Sequence, residues 1–181
     1  MRFLQLIEQK DDENHPDIHY GAGVLIYCPK TNRFLLQKRG ENITDPGQHD
    51  YFGGGVDEGE TILGAAIREL YEEGGVLVSD PATLYKLAIL GKKPEEGLGG
   101  YHIFLRISDE EFDCTPAYEG DTNDEVASCD WVGKEEIGKL DLHDRVSTLF
   151  ADPGFKSSMK KAYQEHKNRE GDNVDKYSGL D

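Results

Sequence analysis

The sequence is short of cysteine, of basic residues and of long apolar runs. Its three cysteines, Cys28, Cys114 and Cys129, are an odd number at wide spacing, with no C-x-x-C pair. That pattern argues against a disulfide framework and a cysteine zinc site, and points to a reducing compartment. No stretch approaches the ~20 apolar residues of a membrane span. Met1–Lys10 has one short apolar patch, turns acidic at Asp11–Glu13, and lacks the features of a signal peptide. The expected location is the cytoplasm. The six histidines show no zinc spacing such as H-E-x-x-H, and no glycine run leads into the Gly-Lys-Ser/Thr of a Walker loop. Lys and Arg number 20 against 36 Asp and Glu, a net charge of −16. Such a surface disfavours DNA, long RNA and anionic membranes, which are held by cationic side chains. It is compatible with a protein that collects cations.

What is present fits one α/β domain. The chain has 181 residues, within the range of a single core. Residues 1–17 read as a lead-in arm and an acidic loop. Gly21–Cys28 and Arg33–Lys38 read as strands joined by a turn at Pro29–Asn32. Gly40–Asp50 is polar and reads as a loop, and Gly53–Gly55 taken alone reads as a turn. Ala82–Leu90, Tyr101–Ile107 and Glu125–Val132 carry the composition of strands. Lys134–Lys139, Leu142–Phe150 and Phe155–Lys167 read as helices. The domain is placed at residues 1–168, with its core over about 17–150 and a frayed tail over 169–181. Alternating strands and helices, with hairpin pairs among them, predict a mixed sheet with helices packed on it.

The chemistry gathers on the helix predicted from Thr61 to Glu73. Leu63, Ala66, Ile67 and Leu70 recur at helical spacing and predict its apolar face. Thr61 is a candidate N-cap, and Gly74–Gly75 can end the helix in a left-handed turn. Glu69, Glu72 and Glu73 stand at i, i+3 and i+4, so they share a face. Three like charges repel there, and a hard cation such as Mg²⁺ or Mn²⁺ offsets the repulsion. An acidic helix face alone is usually only solvated surface.

The full stretch is more specific. Residues 54–76 read GGVDEGETILGAAIRELYEEGGV. Gly54, Glu60, Arg68, Glu69, Leu70, Glu72, Glu73, Gly75 and Val76 fill every fixed place of a motif that resembles the signature of Nudix hydrolases. The resemblance implies an α/β/α sandwich with the mixed sheet between helices. It also implies cleavage of the diphosphate linkage in a small nucleotide, with Mg²⁺ or Mn²⁺ as cofactor. On this reading Glu69 and Glu73 are the first metal ligands, and the Gly54 carbonyl adds to the shell. Glu72 is a ligand or a base, and Arg68 orients carboxylates. The base in this family comes from this motif, the Nudix box, or from a later loop, where Glu125 falls. Arg39 stands near a phosphate-binding position of the family, with a plain surface arginine nearly as well supported. Tyr51 and Phe52 could stack on a base or belong to the core. Phe52 departs from the family, in which many members have Pro before the paired glycines. The substrate, a nucleoside triphosphate or a nucleotide sugar, stays open, and so does a homodimer. The alternatives are a non-catalytic nucleotide-sensing module of the same fold and an RNA 5′-end pyrophosphohydrolase.

Overall fold

A computed structural model describes residues 18–117 and 125–170. The expected arm over 1–17 lies outside the described residues, and so does the expected tail over 169–181 from residue 171 on, while its first two residues, Arg169 and Glu170, belong to the last helix. The strands are β1 (His19–Cys28), β2 (Arg33–Arg39), β3 (His49–Asp50), β4 (Phe52–Gly55), β5 (Leu84–Leu90), β6 (Leu98–Ile107) and β7 (Val126–Gly133). The helices are α1 (Ile62–Gly74), α2 (Lys134–Ile137), α3 (Asp144–Ala151) and α4 (Phe155–Glu170). All seven strands join one mixed sheet. β1 lies parallel to β6 and antiparallel to β2 and β4. β7 pairs with β2, and β5 with β6.

β1 shows why the sheet is sandwiched. Alternate side chains of a strand point to opposite faces. Val24 and Ile26 pack with Ile62, Ala66 and Leu70 of α1. Leu25 and Tyr27 pack with Val146 and Leu149 of α3 and Met159 of α4. A strand covered on both faces reads as one continuous apolar run, as GAGVLIYC does.

Four expectations need correction. Gly53–Gly55 is not a turn but part of β4: Gly53, Gly54 and Gly55 pair with Gly23, Ala22 and Gly21. His49–Asp50, expected in a loop, forms a short strand against Gln37 and Lys38. The buried face of α1 runs through Ile62, Ala65, Ala66 and Leu70, with Leu63 and Ile67 only partly covered, and it continues into Glu73. Cys114 and Cys129 are disulfide-bonded, and Cys28 is free and buried. Sequence spacing carries no information on which distant cysteines meet in space. The bond also removes the support that unpaired cysteines gave to a reducing compartment. No helix among the described residues is long and apolar enough to cross a membrane.

Candidate active site

Local chemistry fixes α1 at both ends. Thr61 caps it, its side chain accepting from the Gly64 amide at 3.0 Å. Gly75 ends it in the left-handed region, φ 68°, where a side chain would be strained. Between these caps Arg68 is the hub of a charged network. Its guanidinium donates to Glu60 at 3.0 and 3.1 Å, to Glu69 at 2.7 Å and to Glu72 at 3.1 Å. It also reaches the Gly55 carbonyl at 3.1 Å, which ties the helix to β4. One cation therefore serves three carboxylates. The hydrogen bond that Arg68 donates to Glu60, with those to Glu69 and Glu72, holds its pKa above the ordinary value despite partial burial. For Glu60, burial works upward, but the bonds from Arg68 and the Asp57 amide outweigh it and the pKa falls.

Glu69 and Glu73 carry the acidic surplus. Burial raises the Glu69 pKa against the pull of Arg68, and the charges of Glu72 and Glu125 push it further up. A Cβ on Gly54 would come within 2.5 Å of Glu69 Oε1, so any larger residue would push this carboxylate from its place against β4. Glu73 is almost fully buried. Its Oε2 accepts from the Gly53 amide at 2.6 Å and from Gln37 Nε2 at 2.9 Å. Burial pushes the Glu73 pKa up to about 8, against those two bonds and with help from the charges of Glu69 and Asp50.

Glu125 immediately precedes β7, its carbonyl accepting from the Gly40 amide at 2.8 Å. Its charge is the smallest of those that push the Glu69 pKa up. Arg39 is turned elsewhere. It donates twice to the Thr44 carbonyl, at 2.7 and 2.9 Å, and to Asp50 at 3.2 Å. Tyr51 and Phe52 have no exposed surface. Tyr51 packs in the core under α3, and Phe52 packs under α1. Neither ring presents a face on which a base could stack.

The donors fit an oxygen-liganded cation in kind: carboxylates in surplus, two of them with pKa values raised, beside a glycine backbone. Among the described residues no three acidic, histidine or cysteine side chains converge as a ready-made metal site. The hydrogen bonds say why. Arg68 holds Glu69 and Glu72, whereas Glu73 turns inward to Gly53 and Gln37.

Three further residues gave no signal in the sequence. Gln37 of β2 donates to Glu73 and, at 3.1 Å, to the Tyr51 carbonyl. Asp50, fully buried, accepts from Arg39, from Arg145 of α3 and from the Tyr51 amide. Arg145 lies over the rings of Tyr101 and Tyr51, 4.4 and 5.5 Å from their centroids. It lines a cavity of about 410 Å³ that also touches Gly21, Gly54, Gly55 and Tyr101. A lone Arg on a short helix far from the box carries no motif.

Comparison with known proteins bears on the family and the fold. The family model of the NUDIX domain matches residues 17–152. A nucleoside triphosphatase, NudI, of Enterobacter sp. (strain 638) is 32% identical over 140 residues, covering 72% of this chain and 96% of the relative. Among solved structures, a Deinococcus radiodurans protein superposes with a TM-score of 0.55 at 18% identity, over 79% of this chain and 87% of that one. The NUDIX domain of Shewanella oneidensis NrtR, solved with ADP-ribose, gives 0.53 at 13% identity, over 92% and 96%.

Proposed function

The chain belongs to the Nudix family, and from that premise we propose that it is a divalent-metal-dependent hydrolase of small nucleotides. A nucleoside triphosphate is the preferred substrate class, since the NudI relative bears that activity in its name. The Arg68 hub is the observation that carries the reading, because it gathers Glu60, Glu69 and Glu72 into one constellation against β4. Glu69, Glu72 and Glu73, with the Gly54 carbonyl, would hold Mg²⁺ or Mn²⁺. The bound ion would polarise phosphate oxygens and lower the pKa of its water.

The chain's own residues do the rest. Arg68 keeps Glu60, Glu69 and Glu72 in register, and Gln37 and the Gly53 amide fix Glu73. A water attacks one phosphorus of the diphosphate bridge, the bond from that phosphorus to the bridging oxygen breaks, and a phosphate-bearing group leaves. Glu125 or Glu72 takes the water's proton. Glu125 is favoured because Arg68 already engages Glu72, while the Glu125 charge is felt at Glu69 from the segment that leads into β7.

Turnover across a nucleotide panel with Mg²⁺ or Mn²⁺, for wild type and Glu73→Gln, tests this. The expected loss in the variant is about 10²–10³-fold. No metal-dependent turnover on any nucleotide sinks the enzyme reading. Equal turnover in the variant sinks the role given to Glu73.

A further inference from the structure

We propose that Arg145 is a substrate-binding residue and that its cavity receives an anionic phosphate group of the substrate. This rests on the nucleotide reading above and adds a residue outside the box. The sequence pointed to Arg39 for phosphate, but that side chain is spent on the Thr44 carbonyl and Asp50. Arg145 shares Asp50 with Arg39, yet it faces a cavity.

Three observations converge on an anion. The first is charge. Asp50 is one carboxylate between two guanidinium groups, so these three side chains carry a net positive charge within a chain of −16, with His143 and the half-exposed Asp45 behind Asp50. The second is the wall. Gly21, Gly54, Gly55, Gly91 and Gly100 line the cavity, and at Gly55 and Gly91 a Cβ would meet nothing within 4 Å, so this wall leaves open space for a ligand beside the guanidinium. The third is preorganisation. Asp50 and the rings of Tyr101 and Tyr51 hold the guanidinium in place, while 22% of its side chain stays exposed. A planar fork held this way suits phosphate better than a flexible ammonium does. Gly54 and Gly55 also join the cavity to the box. Gly54 backs onto Glu69, and the Gly55 carbonyl accepts from Arg68. A ligand in the cavity therefore lies beside the carboxylates without competing for them.

The test must separate binding from folding. Arg145 changed alone leaves Asp50 buried with one partner fewer, which can unfold the chain. The double variant Asp50→Asn/Arg145→Gln removes both charges, keeps the shape at position 50 and leaves a polar amide at position 145. Arg145→Lys keeps the charge and loses the fork. Titration calorimetry with Mn²⁺ present uses two uncleavable probes: a methylene-bridged nucleoside triphosphate and methylene diphosphonate. The double variant is expected to keep its circular dichroism and its Mn²⁺ affinity, and to bind both probes ~10–100-fold more weakly. Arg145→Lys is expected to fall between it and wild type. Unchanged probe affinity in a folded double variant overturns the assignment of Arg145 and leaves the metal site standing. Weakening for the nucleotide probe alone overturns the phosphate assignment. A wild type that takes up Mn²⁺ and binds neither probe overturns the nucleotide reading and this proposal together.

Discussion

Two arginine–carboxylate clusters flank β4, and they are unbalanced in opposite directions. On the α1 side, Arg68 serves Glu60, Glu69 and Glu72, an excess of acid. On the α3 side, Arg39 and Arg145 share Asp50, an excess of base. They differ in burial too: Asp50 is 0% exposed, and the carboxylates around Arg68 all keep some surface. The contrast shows how so acidic a chain can accept a polyanion. Its net charge says little about local potential, because charge of each sign is concentrated where a ligand of the opposite sign would sit.

Burial sets the largest expected effect. Asp50→Ala leaves two arginines without their shared carboxylate, in a place where water cannot replace it. The expected loss is about 3–5 kcal/mol in urea unfolding. Glu60→Ala, in the more open cluster, is expected to cost under about 1 kcal/mol, since Arg68 keeps Glu69, Glu72 and the Gly55 carbonyl. Equal losses would break the comparison, because burial would then not be what separates the clusters.

The acid excess predicts a pH dependence in metal-free protein. The Glu73 pKa is raised to about 8 in the fold, above its ordinary value. The folded state then holds the proton more tightly than the unfolded state does. That stability is complete below the unfolded pKa and is lost as pH rises through about 8. The change is of the order of a few kcal/mol between pH 4.5 and 8. Mn²⁺ should flatten the profile, because a bound cation favours the charged carboxylate. Unfolding midpoints across that range, with and without Mn²⁺, check it. A metal-free profile that rises over this window overturns the assignment of a raised pKa to Glu73.

What the sequence disclosed follows the same division. The α1 cluster was legible because its members lie within one helix and the turn before it, where spacing becomes geometry. The caps of α1 and the order of the main strands along the chain were legible for the same local reasons. The α3 cluster was not. Asp50 and Arg145 are 95 residues apart and meet only through the packing of a two-residue strand under a short helix. The strand Phe52–Gly55 was hidden because its glycines form a strand by pairing with the glycine-containing start of β1, not by propensity. Tyr51 and Phe52 read equally as stacking rings or core, and only the two packed layers decide between them. The Cys114–Cys129 bond was hidden likewise, since it joins a segment after β6 to a residue of β7.

Gln37 sharpens the comparison most finely, because it sits between the two clusters. One nitrogen donates both to the carbonyl of Tyr51, next to Asp50, and to Glu73 of α1. Both donors to Glu73 meet at Oε2, so neither Gln37 nor Gly53 commits Oε1. Gln37→Met keeps the length and the apolar packing of the side chain but removes the donor. If Gln37 only fills the core, stability falls slightly and metal affinity holds. If it positions Glu73, Mn²⁺ affinity falls ~10–100-fold, as with other groups that orient a ligand from behind, about 1.4–2.7 kcal/mol. Electron paramagnetic resonance of free Mn²⁺ reads that affinity without any substrate. Gln37→Glu, nearly the same shape with a second negative charge against Glu73, should weaken Mn²⁺ binding at least as much, unless it is protonated. Unaltered Mn²⁺ affinity in both folded variants would show that the two clusters are neighbours without being coupled.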